Sequence, residues 1–247
     1  MNKKSKLRIA KFISNAGISS RRGAEKLILE GKVEVNGQLI ESPALNIDKD
    51  DIVKVDGKII EYDLSVRMWI FYKPKGCLVT ASDPKDRKTI YDILPQSMKN
   101  INAVGRLDFN SEGLLLLTNN GDFSRYLELP KNNFERLYKV RVFGKVREDL
   151  LLGLSKGIKI GGIRYKPIKA LLEKENGSNS WLKFSIYEGK NKEIRKVCKS
   201  MNLEVNRLIR YSYGPFKLKK LKKGQIEEIP SFILKKKLPN FFNNKED

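Results

Sequence analysis

The sequence contains no histidine, only two cysteines, and no apolar run that approaches the length needed to cross a membrane. Each shortage removes a class of chemistry. Without histidine there is no Ser-His-Asp triad, no imidazole general base and no His-ligated zinc. Cys77 and Cys198 are too few for a thiolate metal site. They read as buried free thiols of a cytosolic protein rather than as a structural disulfide. Acidic residues are also scarce: 29 Asp and Glu stand against 50 Lys and Arg, a net charge of +21. Such a surface suits a polyanion. Nucleic acid fits better than an anionic membrane, because no long basic amphipathic helix stands out. A basic surface serving solubility alone is the competing reading. The basic start, MNKKSK, has no apolar h-region behind it, so a soluble, cytoplasmic protein is expected.

What is present organises around residues 104–129, VGRLDFNSEGLLLLTNNGDFSRYLEL. Four consecutive leucines, Leu114 to Leu117, predict a segment buried on both faces. Gly105-Arg106-Leu107-Asp108 stands directly before them, which mounts an arginine and a carboxylate on a loop held by a rigid element.

On the N-terminal side, Leu7, Ala10, Phe12 and Ile13 predict a short amphipathic helix. Ser19 and Ser20 cap a second one that runs through Leu29 to a stop at Gly31. Lys32 to Val35 alternates as a strand, Asn36-Gly37 signals a hairpin, and Ile52 to Val55 is a further strand. Charge is polarised along this segment: residues 1–26 carry eight Lys and Arg and one Glu, whereas 27–66 carry four Lys and nine Asp and Glu. Arg21 and Arg22 open the second helix, where the dipole disfavours cations by ~0.3–1 kcal/mol each. Phosphate contact would compensate that cost; a solvated, salt-screened helix start is the plainer account.

Beyond a linker at about 58–66, Trp69 to Lys73 reads as a strand closed by Lys73-Pro74-Lys75-Gly76. Asp122 to Leu129 fits a short helix, Leu137 to Phe143 an alternating strand, Gly157 to Lys166 a hairpin and Trp181 to Tyr187 another strand. Ile194, Val197, Cys198 and Met201 form a single helical stripe within Lys192 to Met201, and Arg207 to Tyr213 returns to strand pattern. Many strands and few helices predict an α+β domain on a mainly antiparallel sheet. Residue by residue, Asp108 is also a plain turn former, Tyr138 a core aromatic and Arg195 a snorkelling side chain at the edge of its helix stripe.

SSRRGAEKLILEGKVEVNG resembles the S4-type RNA-binding domain, over residues 6–53. GRLDFNSEGLLLLTNNGD, ERLYKVRV, EGKNKEIRKV and LIRYSYGPF resemble, in order and spacing, the motifs of RNA pseudouridine synthases, over residues 6–232. The S4-bearing ribosomal branch is the nearest, and the YGPF…LKKGQIEEIP ending is most similar to its members that act on large-subunit ribosomal RNA. Ser111 stands where the family usually has Thr, and Asn120 where it usually has Asp. Ser keeps the hydroxyl and Asn keeps the turn preference.

The resemblance implies an S4-type unit with a short linker at 1–64 and a catalytic domain of mixed, mainly antiparallel sheet at 65–235; residues 236–247, Lys-rich and then Asn-rich, read as a basic, polar, disordered tail. The resemblance also implies isomerisation of uridine in 23S ribosomal RNA, with 16S RNA the runner-up. Asp108 would be the nucleophile; an aspartate is ionised at neutral pH without a base to activate it. Tyr138 would stack on the flipped base and help move the C5 proton. Arg195 would form an ion pair with Asp108. Arg106, Arg21, Arg22, Lys26 and Lys192 would contact RNA. No metal or organic cofactor is implied, and a monomer is expected. Two other classes remain on sequence grounds: a non-catalytic ribosome-assembly factor, and a metal-dependent nuclease using Asp108, Glu112 and Asp122.

Overall fold

In the computed structural model, residues 6–48, 50–60 and 65–243 are described. The chain divides into two units. One is built on the chain up to Val66 together with 95–102 and 119–121, and the other on the remainder. The 61–64 part of the expected linker lies outside the described residues.

The first unit opens with β1 (Leu7–Arg8), α1 (Ile9–Asn15) and α2 (Arg21–Leu29). Ile9, Ala10, Phe12 and Ile13 bury one side of α1. The Ser20 hydroxyl caps α2 by accepting from the Gly23 N–H at 3.1 Å. β2 (Val33–Val35) and β3 (Gln38–Leu39) join through Asn36 and Gly37, at φ 52° and 82°, the positive values that a type I′ turn requires. β4 (Asn46–Ile47) pairs with β1. β5 (Val53–Val55) and β6 (Lys58–Ile59) complete a sheet ordered β3-β2-β5-β6. Ile13, Ala24, Ile28, Val33 and Val53 meet in its core.

The second unit contains β7 (Met68–Lys73), β8 (Asn102–Val104), β9 (Glu112–Thr118), α3 (Gly121–Glu128), β10 (Arg136–Phe143) and α4 (Glu148–Gly153). After the hairpin of β11 (Ile158–Ile160) and β12 (Ile163–Tyr165) come β13 (Lys169–Asn176), β14 (Asn179–Ile186), α5 (Glu193–Ser200) and β15 (Glu204–Tyr213). β16 (Phe216–Lys217), β17 (Ile226–Ile229), α6 (Ser231–Lys237) and α7 (Pro239–Asn243) follow. The main sheet runs β13-β14-β10-β15-β9-β7-β17, with β8 on β9 and β16 on β15. β9 and β15 are parallel; every other neighbouring pair in the seven-strand path is antiparallel.

The leucine strand is buried as expected: all seven residues of β9 are out of solvent. β10 alternates. Tyr138, Val140 and Val142 pack against Leu151 of α4 and Ile194 and Val197 of α5, while Lys139 and Arg141 lie on the other face. Both cysteines are buried free thiols. Sequence pattern missed β13, α4 and β17. KALLEKEN in β13 reads as polar because one face of that strand meets solvent.

The expected disordered tail from 236 needs correction. Lysines 235–237 close α6, and α7 follows to Asn243; residues 244–247 lie outside the described residues. The cause is aromatic burial. Phe241 packs 4.6 Å from the ring of Phe123 and 5.1 Å from that of Tyr126, both on α3. Truncating this ring removes an anchor. Phe241→Ala is expected to lower unfolding free energy by about 3 kcal/mol in urea denaturation.

Candidate active site

The site rests on a single row of residues across four strands. Pairing aligns Lys73 with Gly113, Gly113 with Arg210, and Arg210 with Tyr138. Aligned residues share a face, so Lys73, Arg210 and Tyr138 line one side of the sheet. Gly113 makes the row close enough to work. It sits at φ 113°, and a Cβ there would lie 2.2 Å from the Arg210 carbonyl oxygen.

Lys73 is fully buried at the end of an apolar strand, on the same side as Trp69 and Phe71. Its ammonium has three hydrogens and three carbonyl acceptors: Pro74 at 3.1 Å, Asp108 at 3.1 Å and Ser111 at 2.9 Å. Burial pulls its pKa below the ordinary lysine value, against the opposing influence of the Cys77 thiol and the Asp108 carboxylate.

The loop carrying Asp108 is therefore held by its backbone. The Asp108 carbonyl accepts from Lys73 and from the Ser111 N–H at 3.0 Å; the Phe109 carbonyl accepts from the Gly76 N–H at 2.8 Å. The Asn110 carbonyl accepts from Arg195 Nη2 at 3.0 Å, and the Ser111 carbonyl from Lys73. All four carbonyls from 108 to 111 are engaged. Leu107, in the same core as Tyr138, pins the loop from below. Asp108 itself is half-buried, and its carboxylate makes no hydrogen bond or ion pair among the described residues.

The expected Asp108–Arg195 ion pair is absent. Arg195 is half-buried at the border of the α5 stripe, as its spacing suggested. Its guanidinium donates to the Val205 carbonyl at 3.1 Å and to Asn110. A planar fork engaged by two carbonyls on separate segments braces the loop rather than neutralising its acid.

The other expected residues divide by unit. Arg106 is exposed on the loop, and Lys192 is exposed at the N-cap of α5 with φ 52°. Arg21, Arg22 and Lys26 are exposed on α2 in the first unit, where Lys26 stands 3.5 Å from Glu30.

The nuclease triad is not assembled. Glu112 is buried with Arg207 Nε on Oε1 and Lys223 Nζ 2.9 Å from Oε2. Burial drives its pKa up, but the two cations win and hold it below the ordinary range. A carboxylate so engaged is a poor metal ligand, and Asp122 lies beyond the far end of β9. Among the described residues no group of three acids or thiols could hold a metal.

Two residues escaped sequence reasoning. Lys73 had a usable signal, a lysine at a core-facing position in MWIFYK. Glu193 had none. It is buried at the start of α5; Oε2 accepts from the Lys190 N–H at 3.0 Å and Oε1 has no partner. Burial pushes its pKa up to about 7.

With this geometry in view, the comparisons are specific. The RNA pseudouridylate synthase family pattern matches residues 67–200, and the S4 domain pattern matches 7–53. An RNA pseudouridine synthase of Rickettsia felis is 49% identical over 230 residues, covering 93% of this chain and 99% of that one. The ribosomal large subunit pseudouridine synthase B of Bacillus subtilis is 34% identical over 231 residues, covering 93% of this chain and 94% of that one. A crystal structure of a pseudouridylate synthase superposes with a TM-score of 0.65 at 26% identity, covering 94% of this chain and 99% of the other. The chain belongs to the RNA pseudouridylate synthase family, joined to an S4 domain, and is an RNA pseudouridine synthase.

Two outcomes follow from the buried charges. Lys73→Met takes a donor from three carbonyls, of which Asp108 keeps the Ser111 N–H and Pro74 the Cys77 thiol, and is expected to cost about 1–3 kcal/mol in urea denaturation. Glu193 has a folded-state pKa raised from 4.5 to about 7, so its stabilising contribution is full below pH 4.5 and lost as pH rises through 7. Unfolding free energy should fall by about 2–3 kcal/mol between pH 5 and 8 relative to Glu193→Gln. Parallel pH profiles for the two proteins would contradict this.

Proposed function

We propose that the chain converts a specific uridine to pseudouridine in ribosomal RNA of the large subunit, with Asp108 as nucleophile. The observation that carries this is the loop whose four carbonyls are all engaged while its one carboxylate is left without a partner. A nucleophile needs that arrangement: fixed backbone, unencumbered reacting group.

Paired uridine hides its glycosidic bond, so the base leaves the stack at a cost of a few kcal/mol. Phosphate contacts from Arg106, Lys192 and the α2 cations Arg21, Arg22 and Lys26 offset that cost. Tyr138 supports the flipped uracil, a stack worth ~1–3 kcal/mol, with its hydroxyl available for the C5 proton. Two routes fit the carboxylate. In one, Asp108 attacks C1′ and the C1′–N1 bond breaks with its electron pair leaving on uracil. In the other, Asp108 removes the C2′ proton and uracil departs from a glycal. On the first route the base turns and C5 bonds to C1′ as the Asp108–C1′ ester bond breaks; on the second C5 adds to C1′ of the glycal as Asp108 returns the proton to C2′. In both, the C5 proton is lost and N1 takes up a proton. Arg195 acts on this chemistry through the Asn110 carbonyl, as a positioning residue. Assembling ribosomes in the cytoplasm supply the substrate, and the protein works as a monomer.

Large-subunit RNA is favoured by the relatives named ribosomal large subunit pseudouridine synthase B. Tritium release from 5-tritiated uridine in 23S RNA tests the reading. Asp108→Asn should abolish release while leaving RNA affinity within about twofold. Release confined to 16S RNA would move the substrate to the small subunit, and full activity in Asp108→Asn would sink the nucleophile assignment.

A further inference from the structure

The sheet face turned away from Tyr138 and Arg210 has a composition of its own. Register sets Lys139 opposite Lys183 and Arg141 opposite Arg207. Like charges directly opposite one another on neighbouring strands are destabilising, and the chain offsets this only in part. Glu173 lies 3.1 Å from Lys139 and 2.9 Å from Lys183, so one carboxylate serves two ammonium groups. Glu112 does the same for Arg207 and Lys223. Each cluster keeps one positive charge in excess. Arg141 stands between them, exposed and without an ion-pair partner among the described residues. Glu135 and Glu204 mark the two ends of the face.

Apolar side chains interleave with these cations. Trp181 is aligned with Arg141 on one side and Lys174 on the other, and is half-exposed. Phe143, on the same side of β10 as Arg141, is 49% exposed. Arg207, Arg141, Trp181 and Lys174 thus form a row across four strands, on the order of 15 Å long. A ring among cations at strand spacing is otherwise poorly placed, since an indole gains little from lying half in water.

We propose that this face binds a second segment of RNA, in single-stranded form, with phosphates at the excess cations and bases stacked on Trp181 and Phe143. A duplex encloses its bases and offers nothing to a ring; a single strand presents both charge and base faces. The surface lies on the side of the sheet opposite Tyr138, so it holds flanking RNA rather than the reacting uridine.

The test uses the full chain and a uridine-free oligoadenylate strand. The protein has two tryptophans, Trp69, which is 8% exposed, and the half-exposed Trp181. Saturable quenching of tryptophan fluorescence is expected, and Trp181→Leu should remove it. The double variant Arg141→Glu/Lys183→Glu should shift the quenching midpoint roughly tenfold to higher oligonucleotide and flatten its salt dependence, with an unchanged thermal midpoint certifying the fold. No quenching in the wild type overturns the proposal, as does an unshifted midpoint in the folded double variant. Equal quenching by an oligoadenylate–oligouridylate duplex overturns the single-strand assignment. The probe contains no uridine, so these results stand apart from the fate of Asp108→Asn.

Discussion

A buried ammonium with three carbonyl partners holds the catalytic half of this protein together. Lys73 meets the Pro74 turn, the Asp108 loop and the start of the leucine strand in one place. An unpaired cation at that depth would be costly, but neutral carbonyls satisfy its hydrogens without neutralising it. The positive charge thus remains beneath Asp108. A carboxylate partner for Lys73 would have cancelled that charge and competed with Asp108 for it.

The same economy governs the central strands. Gly113 lets β9 and β15 approach so closely that Lys73, Arg210 and Tyr138 fall into one row. Arg210 is buried, donates Nε to the Leu114 carbonyl at 2.8 Å and stacks over Tyr213 at 5.2 Å. A second arginine, Arg136, lies 4.7 Å from that ring, whose hydroxyl donates to the Leu127 carbonyl at 2.9 Å. Two guanidinium groups on one aromatic ring tie the end of β15 to β10 and α3. Two rows three residues apart on opposite faces thus differ in kind: one is buried and fixes a loop, the other is open and carries charge.

Much of this was legible in the sequence because apolar period is a direct consequence of burial. The leucine strand, the β10 alternation, the α5 stripe and the Asn36-Gly37 hairpin follow from side-chain pattern alone. Asp108, Tyr138 and Arg195 could be named through the family resemblance; in the structure Arg195 donates to the loop of Asp108, and Leu107 of that loop belongs to the same core as Tyr138. What they touch could not be read. Arg195 bonds to carbonyls, and a carbonyl is present at every position, so no residue type announces the partner. Lys73 closes a strand in the sequence reading and was not singled out there, because lysine seldom lies inside. The lysines closing α6 likewise hid a helix that Phe241 draws into the core.

The parallel pairing of β9 with β15 also has a consequence for how the protein is born. Glu112 waits for Ile209, whereas in the first unit Val33 finds Val55 a short distance along the chain. Contacts near in sequence close quickly; those far apart must await the later residue and pay a larger loop-closure entropy. During synthesis the S4 unit is complete while most of the catalytic sheet is unmade. Arg195 and β15 emerge among the last elements, so the loop of Asp108 gains its second brace only near the end of translation. A nascent chain of this protein completes its S4 unit well before it can alter RNA.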